Sequence, residues 1–335
     1  MCAIYYKITY TKVPGLPKNF HDDYGLGYAY ETDEYYVHFY GHNKNFYSIQ
    51  ASLALAEKKS TSQYHSLSEW VTYYFGATDI NPIKNSIGRT IQGVWRPALY
   101  YTNDIHQGLK TNESERRLSQ QALKILLEKL DDLFLYIEPT ESSMSTYSHK
   151  TRELLILACT EVENFWMYYM QISNNPSERK NYNTKDYVKL KEKLHLGDYN
   201  FTLKSYPHIH DINPFKDWNE NSPTNSLIWY DAYNKTKHNR TNNFCQATLL
   251  NALTAVIGNI VLYIVKYGPF SILEENGTFN SIINQHFSFE LKNPLIETFY
   301  IPKIKDFANG GEGIFPLDAY NYKIILPYEM KQLVI

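Results

Sequence analysis

The chain has 335 residues, which is enough for one large or two ordinary domains, and its formal net charge is −2. A charge this close to zero excludes a global basic field, so binding of a nucleic acid would depend on a local cluster of cations. The three cysteines are far apart and form no Cys-x-x-Cys pair, so the sequence suggests neither a disulfide framework nor a cysteine-based zinc site. The first residues lack the charged-then-apolar pattern of a signal peptide, so we expect a cytoplasmic protein.

Residues 1–111 are rich in tyrosine and punctuated by glycine and proline, which is typical of strands and turns. Ile4–Thr11 and Glu34–Tyr40 alternate or contain many strand-forming residues, and we predict a strand at each. Ser48–Glu57 and Ser66–Phe75 are predicted to be short helices. No catalytic motif is visible in this region, and its role is unknown.

Helical periodicity begins at Asn112, which can cap a helix with Glu115 three residues later. Apolar residues at spacings of three and four predict that this helix runs to Pro139, and that a second helix follows over Tyr147–Ile172. The predicted core positions are Leu118, Ala122, Ile125, Leu126, Leu130, Leu133 and Ile137 on the first helix, and Leu154, Leu155, Ala158, Val162, Phe165, Trp166 and Tyr169 on the second.

A short helix is predicted at Thr184–Leu194, followed by a long irregular connection and, from Pro223, another helix. The most apolar segment, residues 243–267, is predicted to be a buried helix that a Gly-Pro pair ends. We favour a buried helix over a membrane span, because the most apolar run, Leu249–Val265, contains polar residues and falls short of the roughly 20 residues that a bilayer requires.

The C-terminal part alternates again like strands, at Phe287–Leu291, Glu297–Ile301 and Tyr322–Pro327. The pattern therefore predicts an α+β fold. Its three parts are an N-terminal α+β region at 1–111, a central α-helical bundle at 112–268 and a β-rich extension at 269–335.

The side chains best suited to chemistry lie in the twelve residues Trp229–Arg240, directly before the most apolar helix. The imidazole of His238 can move a proton at neutral pH, and Lys237 and Arg240 can neutralise a phosphate. On a helix, Asn234 shares a face with His238 at i and i+4, where its amide can orient a hydroxyl or a phosphate oxygen. The alternative is that His238 simply ends a helix, bonded to backbone within a lysine-rich, solvated turn.

Other histidines have ordinary explanations. His208, His210 and Asp211 are residue types that bind metal ions, but they fall in a proline-bounded loop with no further ligand cluster placed beside it. No metal ion or other cofactor is therefore predicted. His38 and His42 are predicted to be exposed strand or turn residues.

Two segments, Ser148–Glu163 and Pro223–Arg240, resemble a family of uncharacterised bacterial proteins and are similar to the HEPN superfamily of helical-bundle domains. The resemblance covers residues 112–268. Members of this superfamily are commonly ribonucleases, or inactive relatives, in toxin–antitoxin, antiphage and RNA-processing systems. Their motif is an arginine, a polar residue, three further residues and a histidine at the start of a late helix.

On this sequence the motif histidine falls on His238 and the polar residue on Asn234, while the arginine position holds Tyr233, which carries no charge. In active relatives the arginine stabilises the phosphate and the histidine acts in metal-independent cleavage of RNA by its 2′-hydroxyl. The resemblance implies an endoribonuclease or toxin-like effector in which Arg240 or Lys237 replaces the arginine. The alternative is a non-catalytic module that binds RNA, a nucleotide or a protein.

The resemblance also implies supporting roles. Glu161 and Glu163 could hold the His–Lys cluster by charge pairing, or could pair only with a neighbouring lysine or with backbone. Separately from the resemblance, the aromatic residue types of Trp218, Trp229 and Tyr230 would allow them to stack on bases, but packing in the core against the apolar helix is favoured. Domains of this kind pair across a two-fold axis, so a homodimer is implied. RNA and an antitoxin or defence protein are the other expected partners, and no membrane is.

Overall fold

The structure is a computed structural model, and it describes residues 3–14, 25–41, 46–47, 49–58, 63–99, 102–173, 181–273, 277, 279–304, 314–318 and 328–335. Within these ranges the fold is α+β, as predicted. The strands are β1 Ala3–Lys7, β2 Leu26–Glu31, β3 Tyr35–Gly41, β4 Ile49–Glu57, β5 Thr78–Ile83, β6 Arg89–Ile91, β7 Tyr199–Leu203, β8 Phe287–Leu291, β9 Ile314–Asp318 and β10 Glu329–Lys331. The helices are α1 Leu67–Phe75, α2 Thr102–Leu109, α3 Glu113–Phe134, α4 His149–Ile172, α5 Thr184–Tyr187, α6 Leu190–Lys193, α7 Ile228–His238, α8 Arg240–Asn243, α9 Leu249–Tyr267, α10 Phe270–Leu273 and α11 Asn280–His286.

The chain divides into two compact units, which we call the sheet unit and the helical unit. The sheet unit comprises Met1–Thr90, Arg96–Gly108 and Pro294–Lys331, and the helical unit comprises Ile91–Trp95, Leu109–Asn293 and Gln332–Ile335. The predicted bundle segment, 112–268, lies wholly in the helical unit. The predicted N-terminal and C-terminal segments each contribute residues to both units.

A six-stranded antiparallel sheet, in the order β5-β1-β2-β3-β4-β9, forms the centre of the sheet unit. The predicted helix α1 is confirmed. It starts at Ser66, whose hydroxyl accepts from the backbone N–H of Glu69, and it ends at Gly76 in the left-handed conformation. The buried rings of Trp70 and Phe75 pack from α1 against aromatic side chains of the sheet, which gives this unit its core.

Two predictions for this unit are wrong. Ser48–Glu57 is not a helix, because β4 pairs with β3 on one side and β9 on the other, and these non-local hydrogen bonds override the helix preference of its alanines and leucines. The glycines between the two predicted strands Ile4–Thr11 and Glu34–Tyr40 predict turns, yet Gly27 lies inside β2. A Cβ there would overlap the ring of Tyr6 on β1, so this glycine makes room for a neighbouring side chain.

His38 is also placed differently from the prediction. It is fully buried in the sheet unit, stacked on the ring of Phe75 with 3.6 Å between ring centroids. Neither ring nitrogen has a hydrogen-bond partner among the described residues. Burial lowers the pKa of His38 well below its usual value of 6.5, because the charged imidazolium would lose its solvation. His42 lies outside the described residues, so the prediction for it stays a prediction.

Four helices, α3, α4, α7 and α9, form the core of the helical unit, with α9 packed against the other three. The prediction of a buried helix here is confirmed: α9 is the one helix in the described part of the chain long and apolar enough to cross a membrane, and 83% of that stretch is buried inside the protein. The amide nitrogen of Asn259 in α9 donates to the carbonyl of Ala158 in α4 at 2.9 Å and so fixes these two helices in register. The predicted apolar stripe of α4 is buried along its length.

The predicted core face of α3 is only partly correct. Asn112 caps the helix as expected, accepting from the backbone of Ser114 and Glu115. However, Leu118 is 73% exposed and Ile125 is 50% exposed. The helix carries two apolar stripes, and only the denser one packs in the core. The buried residues of α3 are Leu123, Leu126, Leu127, Leu130 and Leu133.

The remaining differences concern strands and short helices. The predicted irregular connection after α6 contains β7, which pairs antiparallel with β8, the one predicted C-terminal strand that is confirmed. Glu297–Ile301 is not a strand, since Ile296–Thr298 forms a 3₁₀ turn. Thr184–Leu194 is divided into α5 and α6. The predicted strand at Tyr322–Pro327 lies outside the described residues.

Candidate functional site

Helix α7 carries most of the predicted site residues. Its buried residues follow helical spacing, so one side of α7 packs into the bundle and the other faces solvent; they are Trp229, Tyr230, Ala232, Tyr233 and Thr236. The helix ends at His238 because the next residue, Asn239, leaves helical geometry with φ −140° and ψ 74°. The side chain of Asn239 accepts from the backbone N–H of Asn242 and thereby starts α8. His238 and Arg240 therefore flank the non-helical residue that separates α7 from α8.

A cluster of four side chains joins α7 to α4. The phenol of Tyr230 donates to Glu163 Oε1 at 2.6 Å, and the phenol of Tyr233 donates to Glu163 Oε2 at 3.4 Å. The ammonium of Lys237 in turn donates to the hydroxyl of Tyr233 at 2.7 Å. A half-buried carboxylate and an ammonium are thus connected through one phenol, which leaves the two buried hydroxyls with partners.

The electrostatics of this cluster favour a single protonation state. Burial, together with the bond to Glu163, raises the pKa of Tyr230 far above its usual value, and burial likewise raises the pKa of Tyr233. The bond to Tyr233 raises the pKa of Lys237. The thiol of Cys159, one turn before Glu163, has its pKa raised by burial and then by that carboxylate. These groups keep their protons at neutral pH, so the cluster holds two helices together and is poorly suited to proton transfer.

The groups predicted to act on a substrate lie at the surface instead. His238 and Arg240 are exposed, and Asn234 is half-buried one turn before His238 on the same helix. Among the described residues, none of these three side chains has a hydrogen-bond or ion-pair partner. Lys235, on the same helix, contrasts with them because it forms an ion pair with Asp231 at 2.6 Å.

The predicted supporting residues divide in the same way. Glu163 contacts the cluster, but its partners are two tyrosines rather than the histidine or lysine expected from charge pairing. Glu161 does not reach the cluster and accepts a hydrogen bond from Asn164 on its own helix. Trp229 is buried with its indole nitrogen donating to the carbonyl of Pro214 at 2.9 Å, so it packs in the core and is not free to stack on a base.

Arg152 on α4 is a residue that sequence reasoning missed. Its guanidinium nitrogen Nη2 donates to the carbonyl of Thr236 at 3.1 Å, two residues before the end of α7. Two residues correspond to about 3 Å of helix length, so this permanent positive charge lies within one turn of His238. Its buried Nε has no acceptor in the described part of the chain. The available signal was the rarity of arginine, since Arg152 is one of only seven in the chain.

The segment that carries His238 and Arg240 is fastened where it meets α4 and α9. The hydroxyl of Thr151 donates to the carbonyl of Ala247 at 2.6 Å, and the backbone N–H of Leu249 donates to the carbonyl of Thr146 at 2.8 Å. The ring of Phe244 packs against His149, with 4.8 Å between ring centroids. The beginnings of α4 and α9 therefore hold the far end of this segment in place.

The alternative metal site does not assemble in the described residues. The carboxylate of Asp211 accepts hydrogen bonds from Asn200, Thr202 and Lys292, which together lower the pKa of Asp211 to about 2. Its oxygens are therefore already engaged. In the same part of the chain, no group of three histidine, cysteine or acidic side chains is placed to hold a metal ion.

In comparisons with known proteins, no family model, no curated protein and no solved structure matches this chain.

Proposed function

We propose that the helical unit is a HEPN-like domain that binds RNA through the end of α7 that carries His238. One observation carries the proposal: this end presents three nitrogen-rich side chains that no described acidic group pairs with. His238 and Arg240 are exposed without a side-chain partner, and Arg152 is bonded to a backbone carbonyl. Guanidinium groups with free donors bind phosphate oxygens well, and contacts to phosphates dominate the affinity of proteins for RNA.

Two further observations favour binding over cleavage. Tyr233, at the arginine position of the family motif, is buried and bonded to Glu163, so it offers no charge to a phosphate. Lys237 is engaged with the hydroxyl of Tyr233. The phosphate contacts in this proposal therefore come from Arg240 and Arg152, with Asn234 as a hydrogen-bonding group beside His238.

Metal-independent cleavage of RNA is the second candidate function. It is favoured by the exposed imidazole of His238, which is free of side-chain bonds and lies within one turn of a guanidinium contact. An imidazole in that position could take the proton of a ribose 2′-hydroxyl while arginines stabilise the phosphate. A homodimer and an antitoxin or defence partner belong to the same proposal, because they rest on the family resemblance.

The binding proposal is tested with a fluorescein-labelled single-stranded RNA and purified protein in EDTA, by fluorescence anisotropy. Arg240→Gln and Arg152→Gln are each expected to weaken binding about three- to tenfold and to reduce the salt dependence by about one phosphate contact. Lys235→Gln is the matched control, because it removes the same charge from a residue already paired with Asp231. Equal losses for Lys235→Gln and Arg240→Gln, or no saturable binding by the wild type, would contradict the proposal. Unchanged thermal unfolding shows that each variant is folded.

The cleavage candidate is tested with the same RNA in EDTA, by separating the products on a gel and identifying 2′,3′-cyclic phosphate ends. If His238 is the acid–base group, His238→Ala lowers the cleavage rate by about 100-fold or more. His208→Ala, which removes another exposed histidine of the helical unit, leaves the rate unchanged. Equal cleavage by the wild type and His238→Ala excludes this role for His238. If the protein binds the RNA tightly without cleaving it, only the binding proposal remains.

A further inference from the structure

A cavity of about 450 Å³ opens at the other end of α7, within the helical unit. Its wall comes from the loop after α3, the loop between β7 and α7, and the first turns of α7 and α9. The ten residue steps from Ile228 to His238 correspond to about 15 Å of helix, so this cavity is separate from the end of α7 described above. Its volume falls within the range of about 300 to 1,000 Å³ that is common for small-molecule sites.

The cavity has an apolar side that water contacts. Ile228 is 69% exposed and Leu250 is 41% exposed, and both line the cavity with the buried side chains of Met144 and Trp229. Large apolar side chains exposed together around a concavity indicate a binding surface, since covering them removes apolar area from water. The indole nitrogen of Trp229 already donates to Pro214, so this ring offers an apolar surface.

Most polar side chains of the wall are occupied by other protein groups. Asn213 bonds to Gly197 and Phe215, and the hydroxyl of Ser226 bonds to Asn219. Thr254 donates to the carbonyl of Leu250 on its own helix. These groups contribute little to the recognition of a ligand, because each would have to give up a bond inside the protein.

Two carboxylates and two imidazoles on the wall are exceptions, and the carboxylates carry the charge. Glu141 and Asp217 line the cavity, and no described side chain forms an ion pair or a hydrogen bond with either carboxylate. The third acidic residue of the wall, Asp211, is neutralised by Lys292 at 2.9 Å. An apolar wall beside two unpaired negative charges is complementary to a ligand that has an apolar body and a positive charge.

We propose that this cavity binds a small organic amine, with an aromatic or branched aliphatic body against Ile228 and Leu250 and an ammonium group between Glu141 and Asp217. His208 and His210 also line the cavity, and an imidazole can exchange hydrogen bonds with a polar substituent of the ligand. This assignment is independent of the RNA proposal, because it uses none of the same side chains.

The test is isothermal titration calorimetry of the full chain with three indoles of one size. Tryptamine carries a positive charge, 3-ethylindole carries none and indole-3-propionate is negative. We expect tryptamine to bind about tenfold more tightly than 3-ethylindole, a difference of about 1.4 kcal/mol, and indole-3-propionate to bind most weakly. The double variant Glu141→Gln, Asp217→Asn is expected to abolish the preference for tryptamine while binding of 3-ethylindole stays the same.

The double variant Glu192→Gln, Glu290→Gln is the matched control, because it removes two exposed carboxylates of the helical unit that do not line the cavity. It is expected to retain the preference. Leu250→Asn is expected to weaken binding of all three ligands, because it replaces an apolar side chain of the wall by an uncharged polar one. The proposal is overturned if the charge on the indole does not affect affinity, if the control variant loses the preference as well, or if none of the three indoles binds.

Discussion

Replacing Glu163 by alanine is expected to lower the free energy of unfolding of the helical unit by about 3 kcal/mol, because it removes the charged acceptor of two buried tyrosine hydroxyls. Glu163→Gln keeps one carbonyl oxygen in place and is expected to cost only about 1 kcal/mol. The measurement is urea unfolding followed by circular dichroism at neutral pH, comparing midpoints at equal slopes.

Glu161→Ala is the control for this experiment, since it truncates the same side chain two residues away on α4. In the described part of the chain Glu161 accepts a hydrogen bond only from Asn164 on its own helix, so its loss is expected to change stability by less than about 0.5 kcal/mol. Similar effects of Glu161→Ala and Glu163→Ala would contradict the structural role of the cluster. Glu163→Ala is also expected to leave RNA binding by the folded protein unchanged, because Glu163 lies outside the proposed RNA contact.

The sheet unit is expected to lose stability as the pH falls below about 6.5, by up to about 1.4 kcal/mol per pH unit. The pKa of His38 is lowered in the folded state by burial, so the unfolded chain takes up the proton first and acid favours unfolding. When the pH is above the pKa that His38 has in the unfolded chain, its imidazole is neutral in both the folded and the unfolded state, and this effect vanishes. His38→Phe keeps a ring on Phe75 and removes the titrating group, so its stability is expected to vary less over the same range.

This pH dependence is measured by equilibrating the protein in urea at each pH and then pulse-labelling the backbone amides with deuterium at one fixed pH. Peptides from β2 and β3 report the sheet unit separately from the helical unit. His65→Phe is the control, because it makes the same substitution at an exposed position of the sheet unit and should retain the wild-type slope. A slope in His38→Phe equal to that of the wild type would show that other groups cause the acid sensitivity.

Features that depend on neighbours in sequence were predicted well. The cap at Asn112, the helix after Ser66 and the buried stripe of α4 each follow from side chains within a few turns of one another. The buried state of α9 follows from its composition, since a helix that is apolar on all sides must be covered. These features depend on interactions between residues close in sequence, and the packing of distant elements does not change them.

Features that depend on distant partners were not predicted. β4 has alanines and leucines suited to a helix, and only its pairing with β3 and β9 makes it a strand. Leu118 and Ile125 have the spacing of core residues, but the neighbouring stripe of α3 takes the place against the bundle. His38 resembles any polar residue in a strand until the ring of Phe75, far along the chain, covers it.

The candidate site shows the same division. The i and i+4 relation of Asn234 and His238 follows from α7 alone. Glu161 and Glu163 were both predicted to pair with the cluster on this helix, and only Glu163 contacts it. Its tyrosine partners and the contact of Arg152 with Thr236, 84 residues apart, depend on how α4 and α7 pack. A residue pattern locates a segment on a helix, and only packing determines which of its side chains remain free.

The bonds that fasten the chain between α7 and α9 have a consequence for any ligand that binds beside His238. Thr151 holds Ala247 at one end of this segment, and Arg152 holds Thr236 at the other. Because both ends are already ordered before a ligand arrives, binding loses less conformational entropy than it would on a free loop. The affinity of the surface is therefore governed partly by residues of α4 such as Thr151, whose buried side chain no ligand could touch.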